Sequence, residues 1–149
     1  MKNTTAFNNT VVILARIILG CILIYASFDK IAEPLQFARD IRNYSLPTMG
    51  LENLMAMILP WLELLTGLAL IFGFMVDGAA WIISLMMVMF IIAISQAIIR
   101  GIDIECGCGL KAGEMVGIPK IIEDFFYLLL SILIIIRKQR RLEIFPKSL

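Results

Sequence analysis

The chain has 149 residues, of which 60% are hydrophobic and 17% charged, with a formal net charge of +1. A soluble domain usually carries about 25% charged residues, and a water-soluble fold of this length could not hide so much apolar surface. The near-neutral charge gives no footing for nucleic acid or an acidic partner. The absence of histidine removes the commonest general base and metal ligand.

Four apolar stretches, at about 11–28, 54–75, 79–99 and 118–136, approach the roughly 20 residues that cross ~30 Å of hydrocarbon. Backbone polar groups cannot be left bare in lipid, so each is expected to be helical. The expected fold is an all-α, integral membrane four-helix bundle, a single domain over 1–149. The first stretch contains Arg16 and exceeds the roughly 7–15 residues of a signal-peptide core, so it reads as a retained helix.

The connections differ in kind. The first, about 29–53, has Leu35, Ala38, Ile41 and Tyr44 at intervals of three, with Arg39, Asp40 and Arg42 between them. That spacing predicts a short amphipathic helix lying on the membrane surface. A tight turn is expected around Asp77 and Gly78. The third connection, about 100–117, is rich in glycine and holds Cys106 and Cys108. Pro119 then suits a helix start, with Glu123 and Asp124 where the helix dipole favours acids.

Lysines and arginines at helix ends set orientation. The densest basic group is Arg137, Lys138, Arg140 and Arg141, directly after the fourth stretch. Placing it in the cytoplasm puts both termini there and the first and third connections outside. Lys30, Arg39 and Arg42 in the first connection, and Arg100 and Lys111 in the third, weigh the other way.

The sharpest local motif is Cys106-Gly107-Cys108-Gly109, preceded by Asp103 and Glu105. Glycines relax the backbone beside a pair whose disulfide would close a small, strained ring. Strained and exposed disulfides tend to be labile or catalytic. An extracytoplasmic loop permits such a bond. The functional reading is a thiol–disulfide exchange centre with Cys106 and Cys108 as the redox pair. An inert disulfide, two free thiols or a soft-metal site stand beside it. Two thiolates without histidine make a poor closed zinc site, so no metal is assigned. Arg100, Lys111 and Lys120 are the nearby cations able to lower a thiol pKa, opposed by Asp103 and Glu105.

Charges inside the apolar stretches need partners, since each costs about 2.5–3.5 kcal/mol at a helix centre on insertion scales. Arg16 and Glu63 lie at similar expected depth, and an Arg16–Glu63 pair is the expectation; Arg16 snorkelling to the surface is the alternative. Cys21, within the first stretch, reads as apolar filler or as a relay toward a lipid-soluble quinone. Trp61 reads as an interfacial anchor, and Met86, Met87 and Met89 as packing. Gly67 and Gly73 are expected to permit close helix contact.

The run Leu59-Pro60-Trp61-Leu62-Glu63-Leu64-Leu65-Thr66-Gly67 resembles the P-x-x-E-x-x-x-G signature of DoxX-like membrane proteins. Arg16, Gly20, Lys30 and Pro34 recur at similar spacings in that group. The Cys106-Gly107-Cys108-Gly109 segment before the last helix is similar to the MauE branch, although that branch typically reads C-G-C-F-G. The resemblance implies a four-helix membrane bundle with a redox-associated role. MauE is linked to maturation of a disulfide-rich periplasmic dehydrogenase subunit, and other DoxX-like proteins to quinone-coupled sulfur oxidation or thiol stress.

The expected function is thiol–disulfide exchange at the extracytoplasmic face of a bacterial inner membrane. A thioredoxin-like or disulfide-containing extracytoplasmic protein would be the partner, and a quinone would accept electrons near Arg16, Glu63 and Cys21. Two rivals remain. One is a non-catalytic membrane subunit that positions a partner enzyme. The other is a small transporter or metal carrier with Arg16 and Glu63 lining its path.

Overall fold

A computed structural model of the protein describes residues 2–44, 50–101 and 117–136, with side chains from residue 10 onward. The Cys106–Cys108 motif, its neighbours Asp103, Glu105 and Lys111, and the basic tail 137–141 lie outside the described residues. The described residues form five helices and no strand: α1 (Lys2–Ala32), α2 (Pro34–Asn43), α3 (Glu52–Phe72), α4 (Val76–Ile99) and α5 (Ile118–Ile136). The fold is all-α.

Three of these helices are long and apolar enough to cross a membrane, over Thr10–Ala32, Glu52–Phe72 and Val76–Ile99. The protein is therefore a membrane protein with a lipid bilayer around it. Helix α5 has 19 residues and concentrates its charges, Lys120, Glu123 and Asp124, in its first two turns.

Helix α1 packs most extensively on α3, α3 on α4, α4 on α5, and α5 returns to α1, closing a ring of four. Helix α2 lies against α3 and α1. Residue pairing between α1 and α3 runs in opposite directions, with Lys30 opposite Glu63 and Gly20 opposite Gly67. The core is Leu19, Leu23, Leu70, Ile83, Met86, Met87 and Ile134, with Phe37 and Ile41 from α2. Large side chains such as Leu14, Ile18, Leu65, Trp81, Leu85 and Phe125 face outward, as lipid as solvent allows.

Several expected details move. The turn between α3 and α4 lies at 73–75, not at Asp77 and Gly78, which belong to α4. Gly73 ends α3 in the left-handed region with φ 75°, and the Phe74 N–H donates to the Ala69 carbonyl. This is a glycine-terminated helix end, which only glycine adopts cheaply. Gly73 thus stops a helix. In α2 the buried side chains are Phe37, Ala38, Asp40 and Ile41, with Tyr44 just beyond, while Leu35 is exposed. A strict interval of three drifts off one face of a 3.6-residue helix, which explains why Leu35 falls outside the stripe. Met86 and Met87 are core, as packing requires.

Gly67 is where α1 and α3 approach closely. A Cβ there would meet the Gly20 carbonyl oxygen and Ile24 Cγ1, each at 2.9 Å. One at Gly20 would meet the Gly67 carbonyl oxygen at 2.9 Å. The backbone atoms cannot swing aside, so the helices would have to part. Gly67→Ala should lower stability by about 1–3 kcal/mol in thermal unfolding of the detergent-solubilised protein. Gly78→Ala, which meets nothing within 4 Å, should cause no loss. Equal behaviour of the two variants would show that the close approach does not limit packing.

A buried charged cluster as candidate functional site

Apart from Arg16, the charged residues of the described interior gather toward one end of the bundle. That end combines the C-terminal turns of α1 and α4, the N-terminal turns of α5, and α2. Lys30 Nζ donates to both oxygens of Glu63, at 2.6 and 2.8 Å. Both residues are buried, at 5% and 1% relative exposure. The ammonium also lies 5.4 Å from the Phe37 ring centroid and 5.6 Å from that of Phe90. Aromatic faces attract cations at such distances, more so away from water. One lysine therefore holds α1, α2, α3 and α4 together.

Helix α5 supplies the other half. Lys120, Asp124, Tyr127 and Ser131 recur at helical spacing and form one polar stripe on an otherwise apolar helix. Lys120 pairs with Glu123 at 2.5 Å, and the Tyr127 hydroxyl donates to Glu123 Oε1. Asp124 is 2% exposed, and its Oδ2 is enclosed without a hydrogen-bond partner. A small cavity of about 20 Å³ lies among these groups, lined by Lys30, Glu63, Lys120, Glu123, Asp124 and Tyr127 and by apolar Leu23 and Phe90. Its size suits one water molecule. Tyr44, beyond the end of α2, packs with Ala93, Ile94 and Ala97 of α4. Burial, then the negative charges of Asp124 and Asp40, push its hydroxyl above the ordinary value of 10.0, so the phenol keeps its proton.

The expected Arg16–Glu63 pair does not form; Glu63 belongs to Lys30. Arg16 reaches the far end of α3 and donates to the Leu70 carbonyl through Nε at 3.1 Å and Nη2 at 3.0 Å. Seven residues, about 10 Å of helix, separate Leu70 from Glu63. The depth estimate fails because α1 continues past Phe28 to Ala32, which brings Lys30 into the helix. Arg16 is buried and does not snorkel. Its charge sits on the last turn of α3, where carbonyls and the helix dipole favour a cation. Arg16 and Glu63 therefore do not share a site. Cys21 is exposed on the outer face of α1 and is neither core filler nor part of the cavity.

Lys30 is likewise not a loop charge, and Lys120 is a buried, paired residue. Lys30, Asp124 and Tyr127 are the cluster members that sequence reasoning passed over. The signal for the last two was the polar stripe on α5, legible once 118–136 is drawn as a helix. The remaining buried polar side chains serve the helices. Thr66 donates to the Leu62 carbonyl at 2.6 Å, and Ser84 and Ser131 stand 2.8 Å apart across α4 and α5. Such bonds join helices in lipid, where no water competes.

A ring of apolar helices closed around paired charges defines a helical membrane protein with a buried ionisable cluster toward one end. The chain matches the family described as Methylamine utilisation protein MauE over residues 8–137, and it belongs to that family. No curated relative and no solved structure matches it.

Breaking the central pair should be costly. Glu63→Leu leaves the Lys30 ammonium uncompensated, with an expected loss of about 3–5 kcal/mol in thermal unfolding. Lys30→Met combined with Glu63→Leu should recover most of that loss. A double variant as unstable as the single would show that the pair's worth is not its charge balance.

Proposed function

We propose that the protein is a membrane thiol–disulfide redox protein acting at the extracytoplasmic face of a bacterial inner membrane, through Cys106 and Cys108. The observation that carries this is the Cys106-Gly107-Cys108-Gly109 motif in a chain of the MauE family. Its connection leaves Gly101 after α4 and rejoins the chain at Gly117 before α5, at the bundle end that carries the charged cluster. Both termini are assigned to the cytoplasm, on the basic group Arg137, Lys138, Arg140 and Arg141. Helix α5 is assigned as the fourth span.

The chemistry balances as follows. A thiolate of an extracytoplasmic partner attacks the Cys106–Cys108 disulfide, forming a mixed disulfide and releasing one of the two sulfurs as thiolate. The partner's second thiolate attacks the mixed disulfide, so the partner leaves oxidised and the pair is left as a dithiol. A membrane quinone takes up the two electrons and two protons that restore the disulfide, and becomes a quinol. Partners with several disulfides suit this exchange.

The transporter reading loses its premise, because Arg16 and Glu63 do not line a common path. The non-catalytic subunit remains the alternative, and cysteine replacement separates the two. Cys106→Ser and Cys108→Ser should each abolish disulfide formation in the partner while the protein still inserts. A membrane-impermeant maleimide on intact cells should label the pair only after reduction. Labelling only after the cells are opened, or full function in both serine variants, would overturn the proposal.

A further inference from the structure

We propose that Asp124 and the cavity it lines form a proton-exchange site, in which the Asp124 carboxyl binds one proton and trades it through a single water. Five ionisable side chains other than tyrosine line the cavity: Lys30, Lys120, Glu63, Glu123 and Asp124. Lys30 is engaged with both oxygens of Glu63, and Lys120 with Glu123. Two ammonium groups matched to two carboxylates leave one carboxyl in excess. That carboxyl is Asp124, whose Oδ2 is enclosed without a protein partner.

An enclosed carboxylate oxygen without a protein partner is costly to bury charged, and a bound proton removes most of that cost. The surroundings decide the ligand. From α1 the cavity receives Lys30, from α3 Glu63, and from α5 Lys120, Glu123 and Tyr127. Tyr44 beyond α2 feels the charges of Asp124 and of Asp40, and α4 contributes only Met87 and Phe90. Among the described residues no three acidic or cysteine side chains are grouped to hold a metal ion. Two lysines in the lining oppose a further cation, whereas a proton adds no bulk. The space is of one water's size, enough to carry a proton to and from the carboxyl. Asp124 lies six residues beyond Ile118, about 9 Å along α5 from its start. The carboxyl thus stands about two turns of helix from the bundle end. The site stands on its own geometry; thiol oxidation, which releases protons, could draw on it, but the proposal does not rest on that reading.

The test is infrared spectroscopy of the purified full chain in lipid nanodiscs at neutral pH. A protonated-carboxyl C=O band is expected, shifted after transfer to D2O and lost in Asp124→Asn. Glu123→Gln should retain it. Asp124→Glu should move it rather than remove it, which keeps the test decisive if the asparagine variant does not fold. No band assignable to position 124 would overturn the proposal. A band that does not shift in D2O would reduce Asp124 to a locked structural acid. A band that follows Na+ concentration at fixed pH would make the site a metal-cation site instead.

Discussion

The rest of the bundle depends on the Lys30–Glu63 ion pair. Either charge alone, in the middle of an apolar ring, would oppose insertion. Together, with Lys30 donating to both carboxylate oxygens, they cancel and require α1 and α3 to stay side by side. Two other contacts run along the same interface. Gly20 and Gly67 let the backbones approach, and Arg16 holds the Leu70 carbonyl toward the opposite end. The three contacts are spaced along both helices in opposite directions. A slip of one residue would turn Lys30, Gly67 and Arg16 off the facing side, so the pair acts as a register device. The aromatic rings of Phe37 and Phe90 around the same ammonium extend the constraint to α2 and α4.

Much of this was legible in the sequence, and the losses have physical causes. Length and hydropathy located the helices, because in lipid an apolar run has no other stable form. The bounds of α5 coincide with the expected 118–136. Helix ends were harder. Gly73 and Asp77-Gly78 both read as turn material, and only the left-handed conformation at Gly73 decides between them. The buried Glu63 was visible as a charge needing a partner. Its partner is hidden in the sequence because Lys30 follows Phe28 and Asp29 and reads as a loop lysine. A lysine on the last turn of a helix can extend its stem inward, which composition does not reveal. Asp124 was read as a dipole-favoured acid near a helix start. That explanation suits a solvent-facing residue and misses that Lys120, Asp124, Tyr127 and Ser131 share one inward face.

The distribution of buried polar groups is uneven, and the unevenness follows from cost. Deep in the ring, α4 and α5 are joined by neutral hydroxyls, Ser84 with Ser131. Seven residues earlier on α5, about 10 Å nearer its start, the groups become ionisable. Charge costs most at the bilayer centre and less toward the interface, so the same inward stripe passes from serine to tyrosine to aspartate to lysine as it rises. The register of α1 on α3 accounts for Lys30 and Glu63 but not for Lys120, Glu123 and Asp124, since apolar side chains of similar volume usually pack as well or better. These three groups surround, with Lys30 and Glu63, a space of one water's size. The same end receives the two chain ends of the cysteine-bearing connection, at Gly101 and Gly117. The buried ionisable cluster and the chain ends that lead into this connection thus belong to one end of the bundle, and Arg16 lies toward the other.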